Sequence, residues 1–237
     1  MPARRVSTRP RLLQTLRQRW WSASANQNRT FSIYERPSVP TGGLFLCREN
    51  DMSNAPQVRR TDRMLSDDET LAFVKQGFSG TLATAGVDGY PYCVPLLHVW
   101  MDDKIYLHGT AAKGHLRSNV DHDARVCFTV DQPGEVFPYG RFECDTSVSY
   151  ASAIVFGQIK VVEDDAEKAR FCDALMAKYG DKEWDRPESF YPRLNHITVY
   201  AIEVERITGK FIPLPPVSEK WPSHDRSASP NAKPPLT

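Results

Sequence analysis

Two tight turns, each set between short runs of β-forming residues, constrain this chain more than any other feature. Asp88-Gly89 separates Thr81-Leu82-Ala83-Thr84 from Tyr92, Val94 and Leu96, and Asp102-Asp103 leads into Lys104-Ile105-Tyr106-Leu107-His108. An Asp-Gly pair between apolar runs predicts a hairpin, because its residues tolerate the positive φ that such a turn needs. Residues Arg125 to Val130 and Ser147 to Val162 read as further strands, and Ile197 to Ile207 as the last. In that last run Ile197, Val199 and Ala201 share one parity, whereas Ile202 and Val204 take the other. Such a flip means a β-bulge or burial on both faces; the bulge is expected, since barrels bend at bulges.

Two helices accompany the strands. Ser66 followed by Glu69 forms a capping box, Leu71, Val74 and Phe78 repeat on one face, and Gly77 and Gly80 end the helix. Asp164 or Asp165 caps the second helix, which presents Cys172, Leu175, Met176 and Tyr179 and stops at Gly180. Short antiparallel strands with two helices predict a mainly β (α+β) architecture, a β-barrel with covering helices.

This domain is expected to occupy residues 57–216. Residues 1–56 lack periodicity and are expected to be a disordered or removable extension. Seven arginines precede the first acidic residue, Glu35, a composition that fits a mitochondrial transit peptide. A basic disordered tail, or sequence upstream of a true start at Met52, is favoured over that reading. Residues 217–237 are rich in proline and are expected to be a disordered tail. The five cysteines are scattered and never form a CxxC pair, which points to reduced thiols and a cytoplasmic location, or a mitochondrial one if residues 1–50 are a transit peptide. A net charge of +1 supplies no field for nucleic acid, and no apolar run is long enough to span a bilayer.

Several motifs fail. No GxGxxG follows a strand, and Thr208-Gly209-Lys210 lacks the upstream glycine of a phosphate-binding P-loop. His108, His115 and His122 recur every seven residues without cysteine or acidic ligands at metal spacing, so no metal site is expected.

One series of segments carries more. It runs Gly80 to Thr84, Asp88 to Leu96, Lys104 to Gly109, and Lys113-Gly114-His115-Leu116 with Asn119. Arg59-Arg60-Thr61-Asp62-Arg63 precedes it, and Ser149 to Gly157 and Ile207 to Lys210 follow. In this order the segments resemble the pyridoxamine-phosphate-oxidase-like, FMN-binding split β-barrels, and within them the nitroimidazole-resistance (Nim-type) nitroreductase branch. The resemblance implies an FMN cofactor. It also implies a homodimer built on the strand from Tyr150 to Phe156. The implied reaction is hydride transfer through flavin N5 to a small-molecule acceptor, with NAD(P)H as donor. The alternative is a non-catalytic module that holds FMN or haem.

The resemblance implies cofactor contacts at Val94, Pro95, Leu96, Leu97, His108, Gly109, Thr110, Lys113, Gly114, His115 and Leu116. The residues themselves are consistent with it. A glycine-containing turn from Thr110 to His115 that enters a helix aims amides at an anion, and Lys113 adds charge. Oxidase members carry an arginine just before this lysine, where this chain has Ala112, so the second phosphate contact falls to His115 or Arg117. Pro95 cannot donate to a ladder and belongs at an edge or a bulge. The branch places an active-site histidine at His98, where it would orient substrate or deliver a proton; the competing reading is a hydrogen-bonded core histidine.

Overall fold

The computed structural model describes residues 58–215, except Arg141 and Arg186. The expected extension, 1–56, and tail, 217–237, lie outside the described residues. Seven strands are present: β1 (Gly80–Ala85), β2 (Pro91–Leu96), β3 (Val99–Met101), β4 (Lys104–Thr110), β5 (Arg125–Pro138), β6 (Thr146–Val162) and β7 (Ile197–Ile212). Three helices accompany them: α1 (Asp67–Gln76), α2 (His115–His122) and α3 (Asp165–Tyr179). The anticipated turns hold. Gly89 has φ +81°, and Asp102 and Asp103 have φ +49° and +57°, the paired left-handed geometry of a two-residue hairpin.

The strands form one antiparallel sheet in the order β2-β1-β5-β6-β7-β4-β3. Its edges, β2 and β3, are separated by Leu97 and His98 alone. They are thus two halves of one segment, the first paired with β1 and the second with β4. A sheet whose opposite edges are joined in this way must curl into a barrel. Closure is incomplete, because β3 pairs with Lys104, Ile105 and Tyr106 only. Among the described residues, Leu107 to Thr110 of β4 and the outer edge of β2 therefore have no ladder partner on the sides that flank this gap. The result is a split β-barrel.

Strand β7 contains both double burial and a bulge, at different places. Thr198 to Ile202 are buried on both faces, so the flip at Ala201 and Ile202 is double burial rather than a bulge. The bulge lies further on: Phe156 pairs with Arg206 and Gly157 with Val204, which leaves Glu205 unpaired. Strand β5 is also longer than expected. It continues past Val130 through Pro133, where the register with β6 shifts and the Ser149 hydroxyl accepts from the Glu135 amide at 2.9 Å.

The barrel interior holds Leu82, Ile105, Leu107, Phe128, Val130, Val155, Tyr200 and Ile202, with Phe73 and Val74 from α1 and Val120 from α2. A second cluster lies beneath α3, where Phe171 and Cys172 meet Val99, Tyr106, Val162 and Val199. The helix faces differ from expectation. Gly77 leaves the helix with ψ 136°, so Phe78 is 61% exposed while Thr70, Phe73 and Val74 are buried. On α3 the buried residues are Phe171 and Cys172, and Met176 is partly exposed.

The helices close opposite ends of the barrel. Helix α1 leads through Gly77 to the start of β1. It presses Thr70 so closely on Gly209 that a β-carbon there would clash with the Thr70 hydroxyl oxygen. Helix α2 connects the end of β4 to the start of β5, and its Asn119 amide donates to the Thr84 hydroxyl near the end of β1 at 2.9 Å. Among the described residues no helix is long and apolar enough to cross a membrane.

Candidate functional site

The split is bounded by β2 on one side and by β4 with the loop Ala111 to Gly114 on the other. Because Pro91 and Pro95 cannot donate, the ladder to β1 uses Tyr92, Val94 and Leu96. The backbone groups of Pro91, Cys93 and Pro95 then point the other way, toward the gap. Side chains alternate correspondingly: Tyr92, Val94 and Leu96 are half-buried, and Pro91, Cys93 and Pro95 are exposed. The two sides meet where the His115 ring stacks on Tyr92, with centroids 4.2 Å apart. The strand that bears Pro95 and the loop that bears Lys113 are thus in contact through Tyr92 and His115.

The loop is fixed at its base and open at its tip. The Ala111 amide donates to the His196 carbonyl at 3.0 Å, and the Thr198 hydroxyl donates to the Thr110 carbonyl at 3.3 Å. Thr110, Lys113, Gly114 and His115 are exposed, whereas Leu116 packs on the barrel interior. Gly114 is the N-cap of α2, in extended backbone, and no side chain caps this helix. Its first-turn amides lack intrahelical acceptors, as at any helix start. No acidic residue lies in that turn; Arg117 does.

Lys113 and Arg117 share one carboxylate. The Lys113 Nζ is 2.7 Å from Asp121 Oδ2, and Arg117 Nε is 2.8 Å from Asp121 Oδ1. The two cations hold the Asp121 carboxyl below its usual range. A second cation thus accompanies Lys113 even though Ala112 replaces the expected arginine, and it is Arg117; His115 is engaged with Tyr92. Asp121 was not singled out in the sequence, although its i,i+4 spacing from Arg117 is an ion-pair signal.

Two expected residues are placed differently. His98 is fully buried. Its Nε2 lies 2.7 Å from the Val74 carbonyl, so this nitrogen carries the proton and donates, and Nδ1 has no partner among the described residues. Phe128 meets the ring edge-on at 5.1 Å. Burial, reinforced by Lys178, pushes its pKa down to about 4. This is a hydrogen-bonded core histidine, enclosed rather than open to a bound molecule. The end of α3 fastens the same crossing. Lys178 Nζ donates to the His98 carbonyl at 3.0 Å, and the Tyr179 hydroxyl lies 2.6 Å from the Phe78 carbonyl and 2.8 Å from that of His98. His108 turns its side chain away from the split. Its half-buried ring tilts against Phe171 at 5.6 Å, on the α3 side of the sheet, so only its backbone borders the split. Val94, Leu96, Leu97, Gly109 and Thr110 do lie along the two edges. Among the described residues no group of three or more His, Cys, Asp or Glu side chains could hold a metal ion.

The sequence profile of the pyridoxamine 5'-phosphate oxidase family matches residues 66–211, from the cap of α1 to the end of β7. No curated protein matches the chain. Among solved structures, the chain is similar to a flavocytochrome from Azotobacter vinelandii, with a TM-score of 0.57 and 18% identity over 76% of this chain and 91% of that one. It is similar to a FAD- and haem-binding protein from Mycobacterium smegmatis, with a TM-score of 0.55 and 18% identity over 73% and 94% of the two chains. A candidate 5-nitroimidazole antibiotic resistance protein from Bacteroides thetaiotaomicron gives a TM-score of 0.51 and 22% identity over 62% and 85%. At these identities the likeness is one of fold.

Proposed function

The chain belongs to the pyridoxamine 5'-phosphate oxidase family, and on that premise we propose that the split between β2 and β4 holds FMN and that the protein is a homodimeric flavin-dependent oxidoreductase. The observation that carries this reading is the contact of Tyr92 with His115, which sets the edge of β2 beside a cationic, uncapped helix start. The donor set suits a phosphate monoester: first-turn amides of α2, the Lys113 ammonium and the Arg117 guanidinium. No β-carbon stands at Gly114 to obstruct it, and the space around that position is open. Along β2, the outward backbone groups of Cys93 and Pro95 suit the polar edge of a flavin ring, and Val94, Leu96 and Leu97 exclude water behind it.

When bound, the flavin supplies two-electron hydride chemistry. The chain's own part is to bind the phosphate, orient the ring and keep its face dry. NAD(P)H is the proposed donor, and a small nitro compound or quinone the acceptor. The proton that accompanies hydride then comes from solvent or substrate, because His98 is enclosed. That enclosure favours the second reading, a module that holds FMN or haem without turnover. The visible spectrum of the purified protein, identification of the released chromophore, and anaerobic bleaching by NAD(P)H separate the two. Flavin absorption that bleaches and returns with an added acceptor supports the enzyme. A bound flavin that no nicotinamide donor reduces leaves the module, and a colourless protein that takes up neither FMN nor haem removes both.

The proposed dimer uses the outer face of β1, β5 and β6, which no helix covers among the described residues. Cross-strand register aligns Cys93, Ala83, Cys127, Phe156 and Arg206 in one row, with the Arg206 guanidinium 4.2 Å from the Phe156 ring centroid. Light scattering in the presence of FMN tests it; a monomer refutes it.

A further inference from the structure

We infer that Asp121 is a resident counter-anion of the loop, which holds Lys113 and Arg117 in place until a phosphate dianion takes them over, and so sets how strongly the site distinguishes a phosphorylated ligand from an unphosphorylated one. The inference rests on the reading of this loop as a phosphate site.

The geometry is that of one carboxylate shared by two cations, a separate oxygen serving each, at 2.7 and 2.8 Å. Lys113 is 64% exposed and Arg117 and Asp121 are each about one-third exposed. Pairs so open to water are weak, so a stronger anion can displace the carboxylate. Donors also remain: Asp121 engages Nε of Arg117 and one ammonium proton of Lys113, leaving both Nη groups and two ammonium protons. A phosphate dianion offers three oxygens and more charge than Asp121, and makes stronger charge-assisted bonds with those donors. A ligand without phosphate gains nothing from them. The carboxylate therefore gathers both cations beside the first turns of α2 and at the same time competes with every anion that approaches.

The test titrates flavin-free protein with FMN and with riboflavin, reading quenching of flavin fluorescence. Asp121→Asn keeps the size of the side chain and removes its charge. It is expected to bind FMN about 3- to 10-fold more tightly, as loss of weak exposed pairs and of one repulsive charge implies, with riboflavin affinity unchanged. Asp121→Ser should shift the same way, and Asp121→Glu should restore the wild-type FMN-to-riboflavin ratio. Inorganic phosphate should compete with FMN more effectively in Asp121→Asn than in wild type. Unchanged or weakened FMN binding in folded Asp121→Asn and Asp121→Ser overturns the role of Asp121 alone. Equal wild-type affinities for FMN and riboflavin, unaffected by Lys113→Ala, overturn the phosphate-site reading and this inference with it.

Discussion

The two helix starts that cap the barrel are built on opposite plans. At α1, Ser66 accepts the Glu69 amide, Glu69 reaches back to the Ser66 amide, and Asp67, Asp68 and Glu69 fill the first turn. The Leu65 amide, just before it, donates to the Gly209 carbonyl, so this end is tied to β7. At α2 there is no side-chain cap, no acid in the first turn, and a glycine where α1 has serine. Helix α3 follows the first plan, with Asp164 accepting the Glu167 amide. A carboxylate near a helix N-terminus stabilises it and a cation there does not, so α2 forgoes a stabilisation that the other two have. The difference sets an end that serves stability against one that, on the proposed function, keeps its amides and cations for an anion.

The largest expected contrast lies in acid sensitivity at the sealed end. The folded pKa of His98, about 4, is below the ordinary 6.5. The unfolded chain therefore binds the proton first as pH falls, and the stability from burying a neutral ring, complete above pH 6.5, is lost on the way down to pH 4. The loss amounts to about 2 kcal/mol by pH 5 and about 3 kcal/mol by pH 4. Urea unfolding of wild type and His98→Gln at pH 7.5, 5 and 4 reads it as a stability difference that shrinks with acid. A difference independent of pH would refute the enclosure. At the open end, the double replacement Lys113→Ala with Arg117→Ala should weaken FMN binding about 100-fold, as loss of hydrogen bonds to a charged group implies. Riboflavin binding should stay as it was, and an effect on both flavins alike would dissolve the distinction between the two ends.

The sequence discloses these ends unequally, for a physical reason. Ser66 with Glu69, Asp88-Gly89 and Asp102-Asp103 are local chemistry, in which the residues that cause the structure sit beside it. Lys113 and Gly114 were legible as a loop that enters a helix, and Arg117 was one of two residues left to carry the second charge. His98 was not legible, because its partners are the Val74 carbonyl and, through its own carbonyl, Lys178 and Tyr179, about 80 residues away. A histidine in an apolar strand reads the same whether the far helix covers it or leaves it open. Phe78 was misassigned for the reverse reason. Its spacing fits the helical face, but the helix had already ended at Gly77, and only its ring contact with Tyr179, at 5.5 Å, shows where it goes. The double burial of β7 depends likewise on α3 arriving from outside the barrel.

Turning α2 into a helix of the first kind should make the protein more stable and worse at binding. Gly114 has φ −103° and ψ −166°, and a β-carbon there meets nothing within 4 Å, so Gly114→Asp enters without strain. Its carboxylate would cap the first turn and favour folding by about 0.5 kcal/mol. The same carboxylate would occupy the amides and repel phosphate, and FMN affinity is expected to fall about tenfold. Thermal unfolding without ligand and fluorescence titration with FMN give the two readings. A variant that gained stability and kept its FMN affinity would show that the open helix start is not used for an anion.

The smallest effect comes from the reciprocal change at α1. Ser66→Ala removes the hydroxyl that accepts the Glu69 amide at 3.3 Å, and the Glu69 carboxylate retains its 2.8 Å bond from the residue 66 amide. Half of the capping box survives, so the cost is expected near the middle of the measured range for cap removal, about 1 kcal/mol, visible as a lower urea midpoint with unchanged slope. FMN and riboflavin affinities should not move, because α1 closes the end of the barrel remote from Lys113. If Ser66→Ala weakened FMN binding while leaving riboflavin alone, the two ends would be coupled through β7, which touches α1 at Gly209 and the loop at Thr198. The division of labour between a sealed end and an open one would then have to be abandoned for a single cooperative barrel.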